Sequence, residues 1–366
     1  MLKKVKVLFV YLFVALIAVS MAGLSSCAKT TSTTAGTTAE TAGTTAETSA
    51  EEESQATNIV RITGDEKVDV PDGEKFVIGV SVINVDNPYF VTQIDTVKKV
   101  SEQYGGSAVE ADAQFDPAKQ ISDIENFIAM NVDGIIIASA DSFALVDVVN
   151  RATEAGIPVM CMDSGVNTDS VLVTFQSDNF DCGYNNGIYM AEKMNGEGGV
   201  VDINYPTVEA GRDREAGFWE ALKAYPKISV LDVQKGGTME TGRQLMEAWI
   251  TAFPDKINAV WAINEQMCIG ALNAAEAAGL KDKVFGVATD GMPEGVKAMK
   301  SGINLWAISR QFPDKQARLA AESMITVIRG GEVLPEWQGK YCRIKTALIT
   351  IEDVRTGKYD DYIQGK

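Results

Sequence analysis

The sequence predicts an α/β protein made of two doubly wound lobes, each built on a mostly parallel sheet. From Phe76 onward, short apolar runs alternate with longer stretches that have helical periodicity. There are more such runs than one sheet comfortably holds. The 366 residues, of which 46% are hydrophobic, are enough to form two separate cores.

The first strand of this pattern, Phe76 to Ile83, is a nearly continuous apolar run, as expected for a strand that is buried on both faces. Further runs of the same kind predict strands at 107–111, 134–138, 158–162, 171–175, 199–204, 229–233, 258–262, 283–287 and 304–308. Amphipathic helices lie between them. In Asp116 to Met130, for example, Ile121, Ile124 and Phe127 recur at helical spacing.

The N-terminus has the pattern of a secretion signal. Lys3, Lys4 and Lys6 form a basic start, Val7 to Leu24 is apolar, and small residues lead to Cys27. This stretch resembles a bacterial lipoprotein signal, and the resemblance implies that Cys27 is lipidated and becomes the first mature residue. The alternative is an uncleaved membrane anchor, because the apolar run is just long enough to span a bilayer. Both interpretations place the rest of the chain outside the cytoplasmic membrane and hold it there.

The predicted signal peptide covers residues 1–26, and the lipidated cysteine and a tether cover residues 27–74. Residues 29–58 repeat Thr, Ala, Gly and Glu with almost no apolar bulk. Such a composition is typical of a disordered linker. Whether it serves as a spacer or has no selected role stays open at this point.

Charge and composition exclude several classes of function. The formal net charge of −17 argues against nucleic acid, because phosphate binding needs clustered Lys and Arg. The sequence contains no histidine, so nucleophile systems based on Ser-His-Asp or Cys-His cannot form. The region before Phe76 has no helix-turn-helix pattern, which argues against a transcription factor. We therefore expect a protein that is not an enzyme and that needs no cofactor.

Four cysteines remain if Cys27 carries lipid: Cys161, Cys182, Cys268 and Cys342. Disulfides are possible outside the cytoplasm. However, Cys161 and Cys268 lie in apolar runs, where free cysteine acts as a small buried hydrophobe. No pair of cysteines has the spacing of a structural zinc site, so we expect no metal.

Polar and aromatic residues follow several of the predicted strands. Asn87, Tyr89 and Phe90 come after the first strand, and Asp163 and Asp290 end two others. Ligands of open α/β sheets bind at the carboxyl ends of the strands, so these side chains are candidates for a binding site. Taken singly, Asn87 could simply cap a helix that begins with a proline, and each aspartate could simply form a turn.

Seven motifs, in this order, resemble periplasmic sugar-binding proteins of the ribose and galactose type, which are class I substrate-binding proteins of ABC importers. The motifs are "NPYF", "DAQFDPAKQISDIENFIAMNVDGIII", "AGIPVMCMDSG", "QSDN", "GRDREAGFWEAL", "AVWAINEQMCIGAL" and "VFGVATDGMPEGVKAMKSG". The likeness extends from about residue 76 to about residue 330. It implies the type I fold of periplasmic binding proteins, in which two lobes are joined by a three-crossing hinge and sugar is held between them.

The resemblance also implies where the chain crosses between the lobes. The crossings fall near Gln176 to Asn179, near Arg310 to Phe312 and near residue 340. The N-terminal lobe would then comprise 75–177 and 312–341, and the C-terminal lobe 178–311 and 342–366. Closure of the lobes around ligand is a hinge motion.

Carrying the family's sugar contacts onto matching positions adds Arg214, Asn264 and Gln311 to the candidates. Carboxylates and amides can bond neighbouring hydroxyls of a sugar, and aromatic rings can cover its C–H face. The expected ligand-binding residues are Asn87, Tyr89, Phe90, Asp163, Ser164, Arg214, Asn264, Asp290 and Gln311. Arg214 could otherwise be a surface helix charge, and Gln311 a hinge residue.

Two departures from the family pattern concern the identity of the ligand. Ser164 stands where ribose binders have an arginine, and glycines at Gly236 and Gly237 replace the aromatic that usually closes the pocket. Both changes predict a roomier pocket. The sequence therefore favours a hexose, a related polyol or a modified sugar over ribose.

The sequence thus predicts a substrate-binding lipoprotein, anchored by lipid to the outer face of a membrane, that captures a sugar or polyol and delivers it to the permease of an ABC transporter. We expect a monomer. The alternative is a sensor that reports the sugar to a membrane receptor, because both roles use the ligand-bound form.

Overall fold

The structure is a computed structural model that describes residues 58–365. The expected signal peptide, Cys27 and most of the expected tether lie outside the described residues. Within residues 58–365, no helix is long and apolar enough to cross a membrane.

The elements alternate along the chain as the sequence predicts. The strands are β1 Ile59–Ile62, β2 Val77–Val82, β3 Ser107–Asp112, β4 Gly134–Ile137, β5 Val159–Met162, β6 Val171–Ser177, β7 Glu197–Asn204, β8 Lys227–Lys235, β9 Ile257–Ala262, β10 Phe285–Asp290, β11 Leu305–Arg310, β12 Lys340–Ile344 and β13 Ala347–Thr350. The helices are α1 Pro88–Gln103, α2 Pro117–Met130, α3 Val146–Glu154, α4 Asn179–Lys193, α5 Glu209–Leu222, α6 Met239–Ala252, α7 Glu265–Ala277, α8 Pro293–Ser301, α9 Pro313–Ile328, α10 Ile351–Arg355 and α11 Asp360–Ile363.

The strands form two sheets, which define two α/β lobes. The sheet of the first lobe has the order β1-β12-β6-β5-β4-β2-β3, and all of its strand pairs are parallel. The sheet of the second lobe has the order β13-β11-β10-β9-β7-β8, with only the edge strand β13 antiparallel among its pairs in the described part of the chain. The fold class expected from the sequence is therefore confirmed.

All ten strands predicted from apolar runs overlap observed strands, and three observed strands, β1, β12 and β13, are not among the predictions. Strand β1 lies within residues 27–74, which the sequence predicts to be the lipidated cysteine and a tether. That assignment is wrong for Ile59–Ile62, because this strand pairs in parallel with β12. The folded part thus begins before Phe76.

The chain passes between the lobes at three places within the described residues. The first lies at Asp178, between β6 and α4; the second at Gln311 and Phe312, between β11 and α9; and the third at Lys345 and Thr346, between β12 and β13. The sequence predicts the third lobe boundary between residues 341 and 342. That boundary falls inside β12, so it is corrected to residues 345–346.

Strand β1 contributes a charge to the first crossing. Arg61 Nε donates to Asp178 Oδ2 at 2.8 Å, and Arg343 Nη1 lies 3.8 Å from Asp178 Oδ1. Arg61 and Arg343 are opposite each other in the β1 and β12 register. Arg343 also donates from Nη2 to Asp213 Oδ2 of the second lobe at 2.6 Å. This cluster ties β1 and β12 to the residues that connect the lobes.

Helices α4 and α5 approach each other closely because glycines lie at their crossing. A Cβ atom on Gly183 would lie 1.7 Å from the backbone oxygen of Arg214, and one on Gly217 would lie 2.1 Å from the backbone oxygen of Phe180. Only residues without a side chain allow this approach. The crossing fixes the position of α5, the helix that carries Arg214.

Candidate ligand-binding site

A cavity lies between the two lobes at the carboxyl ends of their strands. Its volume is about 50 Å³, below the range of about 300–1,000 Å³ that is usual for small-molecule sites, so the lobes leave little open space between them. Its lining residues are Ile83, Asn87, Tyr89, Phe90, Phe115, Asp163, Tyr205, Val208, Ala210, Arg214, Gly237, Ile263, Asn264, Met267, Asp290 and Gln311. Eight of the nine expected ligand-binding residues are among them; Ser164 is not.

Asn87 and Asp290 connect the two lobes across this cavity. Asn87 is the N-cap of α1, where its Oδ1 accepts from the backbone N–H of Tyr89 at 2.9 Å and Pro88 begins the helix. Capping leaves the amide nitrogen available, and Asn87 Nδ2 donates to Asp290 Oδ2 at 3.3 Å. The structural role and the site-facing role of Asn87 are therefore compatible.

Further hydrogen bonds link the polar side chains of the cavity. Gln311 Nε2 donates to Asp290 Oδ1 at 2.8 Å, and the hydroxyl of Tyr89 donates to Gln316 Oε1 at 2.9 Å and lies 3.4 Å from Gln311 Oε1. All four of these side chains are buried. Buried polar groups that already have partners are held in fixed orientations, which is what selective recognition of hydroxyls requires.

Both cavity aspartates sit at strand ends with an unusual backbone conformation. Asp163 follows β5 with φ of 64°, and Asp290 ends β10 with φ of 116°. Residues other than glycine avoid positive φ, and such strain often marks functional sites. Ser164 lies behind the site, fully buried, with its hydroxyl 3.3 Å from Asp163 Oδ2. It is thus placed to orient the carboxylate of Asp163.

The charges of the cavity are two carboxylates and one guanidinium. Burial raises the pKa of Asp163, and it raises the pKa of Asp290 to about 6; in both cases Arg214 acts in the opposite direction. Arg214 is itself buried, and it donates from Nε to Asn179 Oδ1 at 2.8 Å and from Nη1 to the Ile263 carbonyl at 3.0 Å. It is therefore a fixed positive charge in the site and not a surface helix charge.

Glu265 is a buried carboxylic acid directly behind Asp290. Its Oε2 accepts from the backbone N–H of Gly291 at 2.9 Å, and it begins α7 next to Asn264. Burial, reinforced by the nearby Asp290, raises the pKa of Glu265 well above its ordinary value. Asn264 caps α7 by accepting from Met267 N at 3.0 Å, which leaves its amide nitrogen free of the capping role.

Aromatic residues fill the part of the cavity where the sequence predicted open space. A Cβ atom on Gly237 would lie 3.7 Å from ring carbons of Phe115. The Phe115 ring, which belongs to the other lobe, therefore borders the space that a side chain at position 237 would occupy. The Phe115 and Tyr205 rings are in edge contact, with centroids 5.6 Å apart. The pocket is therefore less roomy at Gly237 than we expected.

Several lining residues that follow strand ends are not among the residues expected from the sequence. Phe115 comes shortly after β3, Tyr205 directly after β7 and Ile263 directly after β9. Asn87 is a candidate because it follows the carboxyl end of a strand. The same criterion, applied to every strand, identifies these residues as well. Phe115 carries a second signal, a positive φ of 59° in a bulky residue.

The lobes also touch at the rim of the cavity. Gln266 Nε2 of the second lobe donates to the Asp86 carbonyl of the first lobe at 3.1 Å. On another side of the cavity, the Thr207 carbonyl of the second lobe accepts from Ser142 N of the first lobe at 3.1 Å. The Thr207 hydroxyl donates to the Ala140 carbonyl of the first lobe at 3.2 Å. These contacts hold the two lobes against each other around the site.

The described residues offer no metal centre and no disulfide. Within residues 58–365, no group of three or more acidic or cysteine side chains is arranged to hold a metal ion. Cys161, Cys182, Cys268 and Cys342 are free thiols in buried positions. Burial raises the pKa of each of these thiols, so they pack as small hydrophobes.

Stability should increase as the pH falls from 8 to 5. Burial raises the pKa values of Asp290, Glu265 and Asp202, so the native state binds these protons more tightly than the unfolded chain does. In the window between the unfolded and native pKa values, folding takes up protons, and acid therefore favours the native state. We expect the free energy of unfolding in urea to rise by about 1–3 kcal/mol. The dependence should weaken in Asp290→Asn; a free energy that falls from pH 8 to 5 would contradict the prediction.

Comparisons with known proteins identify relatives of this chain. The profile of a family described as a periplasmic binding protein domain matches residues 78–332. The ribose import binding protein RbsB of Salmonella typhimurium is 34% identical over 270 residues, which are 73% of this chain and 88% of that protein. The galactofuranose-binding protein YtfQ of Escherichia coli is 31% identical over 236 residues, 62% of this chain and 74% of that protein.

Solved structures show the same fold. The crystal structure of a galactofuranose-binding protein superposes with a TM-score of 0.73 at 26% identity, covering 79% of this chain and 99% of that one. An ABC transporter solute-binding protein from Bacillus halodurans, solved with bound myo-inositol, superposes with a TM-score of 0.70 at 28% identity, covering 79% and 98% of the two chains.

Proposed function

Because this chain belongs to the periplasmic binding protein domain family, we propose that it captures a monosaccharide or related polyol outside the cytoplasmic membrane and delivers it to an ABC importer. Its similarity to a ribose import binding protein over 88% of that protein supports a transport role. The observation that carries the proposal is the convergence of Asp163, Asp290, Asn87 and Arg214, all buried, on one interlobe cavity.

The polar side chains supply the bonding pattern that a sugar needs. Asp163 and Asp290 accept hydrogen bonds from hydroxyls, Arg214 donates, and the amides of Asn87 and Gln311 do both. Hydrogen bonds to charged groups contribute about 1.5–3 kcal/mol each, so a few of them suffice for tight binding. Binding and release make and break no covalent bond, so the proposed function includes no catalytic step.

Ligand binding would be coupled to closure of the lobes. The bonds between Asn87 and Asp290 and between Gln266 and Asp86 join the two lobes, so opening must break them. We expect rotation at Asp178, at Gln311 and Phe312, and at residues 345–346. Small-angle scattering should show a modestly smaller radius of gyration with saturating sugar. Identical curves with and without sugar would count against closure.

A lipid anchor would hold the binding protein near its permease. We propose that Cys27 carries the lipid, that residues 1–26 are removed and that the protein acts as a monomer. Mass spectrometry of the protein isolated from membranes should find a mass that fits lipidated Cys27 at the mature N-terminus, and Cys27→Ser should release the protein from the membrane. Intact residues 1–26 with an unmodified Cys27 thiol would refute the anchor, although not the sugar site.

The test of the proposed function is a thermal-shift screen of the full chain in mild detergent against monosaccharides, polyols, nucleosides and amino acids. A ligand at about 100 times its dissociation constant adds about 2.7 kcal/mol of stability, which raises the melting temperature measurably. The screen should respond to at least one sugar or polyol. A response to amino acids or nucleosides alone would overturn the proposal.

A further inference from the structure

Gln316 does not line the cavity, yet its buried side-chain amide is bonded to a residue that does. Gln316 lies in the first turns of α9, shortly after the second crossing. Its Oε1 accepts from the Tyr89 hydroxyl at 2.9 Å and from Gln93 Nε2 at 3.0 Å. Its Nε2 donates to Ser177 Oγ at 3.0 Å, and Ser177 ends β6 directly before the first crossing. Bonds at both ends of the amide hold its oxygen toward Tyr89.

The Tyr89 hydroxyl has one proton and two amide oxygens within reach. Gln316 Oε1 lies 2.9 Å from the hydroxyl oxygen, and Gln311 Oε1 lies 3.4 Å from it. Hydrogen bonds between oxygens are usually about 2.5–3.0 Å long, so the proton belongs to the bond with Gln316. Burial, reinforced by the charge of Asp163, raises the pKa of Tyr89 well above its ordinary value, so the hydroxyl keeps this proton.

Gln311 is also fixed, with its oxygen toward Tyr89. Its Nε2 donates to Asp290 Oδ1 at 2.8 Å, which holds the other end of the amide. Apart from Tyr89, no group among residues 58–365 is in position to donate to Gln311 Oε1. The phenol oxygen and the Gln311 oxygen are therefore two neighbouring acceptors with no proton between them. Both residues line the cavity, and both are buried, so a ligand group that donates a proton would satisfy them.

We propose that Gln316 is a positioning residue of the sugar site, which takes the Tyr89 proton and thereby makes Tyr89 and Gln311 a pair of acceptors for one sugar hydroxyl. The inference rests on the proposed function and adds to it a group that determines specificity. Without Gln316, the Tyr89 proton would turn to Gln311 Oε1 and occupy the place of the sugar's proton. The pair would then no longer accept from a hydroxyl between its two oxygens.

A double-mutant cycle in sugar binding tests the proposal. The probe is the sugar or polyol with the largest thermal shift in the broad panel, which includes D-ribose, D-galactose, D-allose and myo-inositol. Calorimetry on the full chain in mild detergent measures its affinity for Tyr89→Phe, for Gln316→Met and for the double variant. Each single change should weaken binding about ten-fold, because each removes the acceptor pair. The double variant should also lose about ten-fold, because Gln316 acts through the Tyr89 hydroxyl.

A purely structural role of Gln316 gives a different pattern. The losses would then multiply to about a hundred-fold in the double variant, which would overturn the inference and leave the proposed function intact. Unchanged affinity in Tyr89→Phe would overturn it as well, and this variant keeps the ring and does not require that Gln316→Met folds. If the broad panel contains no sugar or polyol that binds, the proposed function fails and the inference fails with it.

The same cycle in the absence of sugar checks the bond between the two side chains. In urea unfolding, the double variant should lose less stability than the two single variants together, because both single changes break the same bond. Additive losses would show that no such bond exists and would overturn the inference. The control is Gln103→Met at the exposed end of α1, which should change neither the sugar affinity nor the coupling.

Discussion

Replacing Asp290 by Ala is expected to weaken sugar binding by about ten-fold to a hundred-fold, or 1.5–3 kcal/mol, while the protein stays folded. Asp290 lies where Asn87 from the first lobe and Gln311 from the second crossing meet, and both donate to its carboxylate. Its removal leaves ligand hydroxyls without an acceptor in a closed cavity. Asp163→Ala should have a similar effect, because Asp163 is the corresponding carboxylate on the other lobe.

The two aspartate substitutions should weaken binding without lowering the stability of the fold. Burial raises the pKa of both carboxyls, which means that the ionised forms are unfavourable in the native state without ligand. Truncation should therefore leave stability unchanged or increase it at neutral pH. Calorimetry and urea unfolding on the same samples check both statements, with the exposed Asp282→Ala as a control. Unchanged affinity in both aspartate variants would mean that the ligand site is wrongly assigned.

Replacing Gly183 by Ala is expected to destabilise the protein by about 3 kcal/mol or more. The added methyl carbon would lie 1.7 Å from the backbone oxygen of Arg214, and no side-chain rotation can relieve contact with backbone. Helices α4 and α5 must move apart. Because α5 carries Arg214 and α4 carries its partner Asn179, sugar binding should weaken as well.

Urea unfolding measures the stability change, and the control is Asn185→Ala on the exposed side of α4, which should change stability by less than about 0.5 kcal/mol. A stability loss below about 1 kcal/mol in Gly183→Ala would show that the helices separate easily. In that case the close crossing would not be what fixes Arg214.

Most strands of the fold could be predicted because a buried parallel strand consists of a continuous run of apolar residues. Strand β10, Phe285–Asp290, is buried along its whole length and is recognisable from residue types alone. Strand β12 carries Lys340 and Arg343, and β1 carries Arg61, so neither gives such a run. Their pairing depends on contacts with each other and with Asp178, which are distant in sequence and leave no local periodicity.

The candidate site could be predicted in its polar half and not in its apolar half. A carboxylate at a strand end, such as Asp163, is conspicuous because it interrupts the apolar pattern. Met267 and Ala210 look like ordinary helix-core residues, and only the tertiary fold turns them toward the cavity. The width of the pocket at Gly237 was misjudged for the same reason, since Phe115 approaches from the other lobe.

The edge position of β1 also decides how the domain would carry mechanical load. If the N-terminal segment is held at a membrane, tension enters the fold at Ile59 and passes along β1 into β12. A pull along the strand axis loads the parallel ladder in shear, so its backbone hydrogen bonds resist together rather than one after another. The ion pair between Arg61 and Asp178 then transmits part of that tension to the first crossing between the lobes. In a protein that is held at a membrane and closes as proposed, tension on the N-terminal segment would act on the first crossing as well as on the sheet.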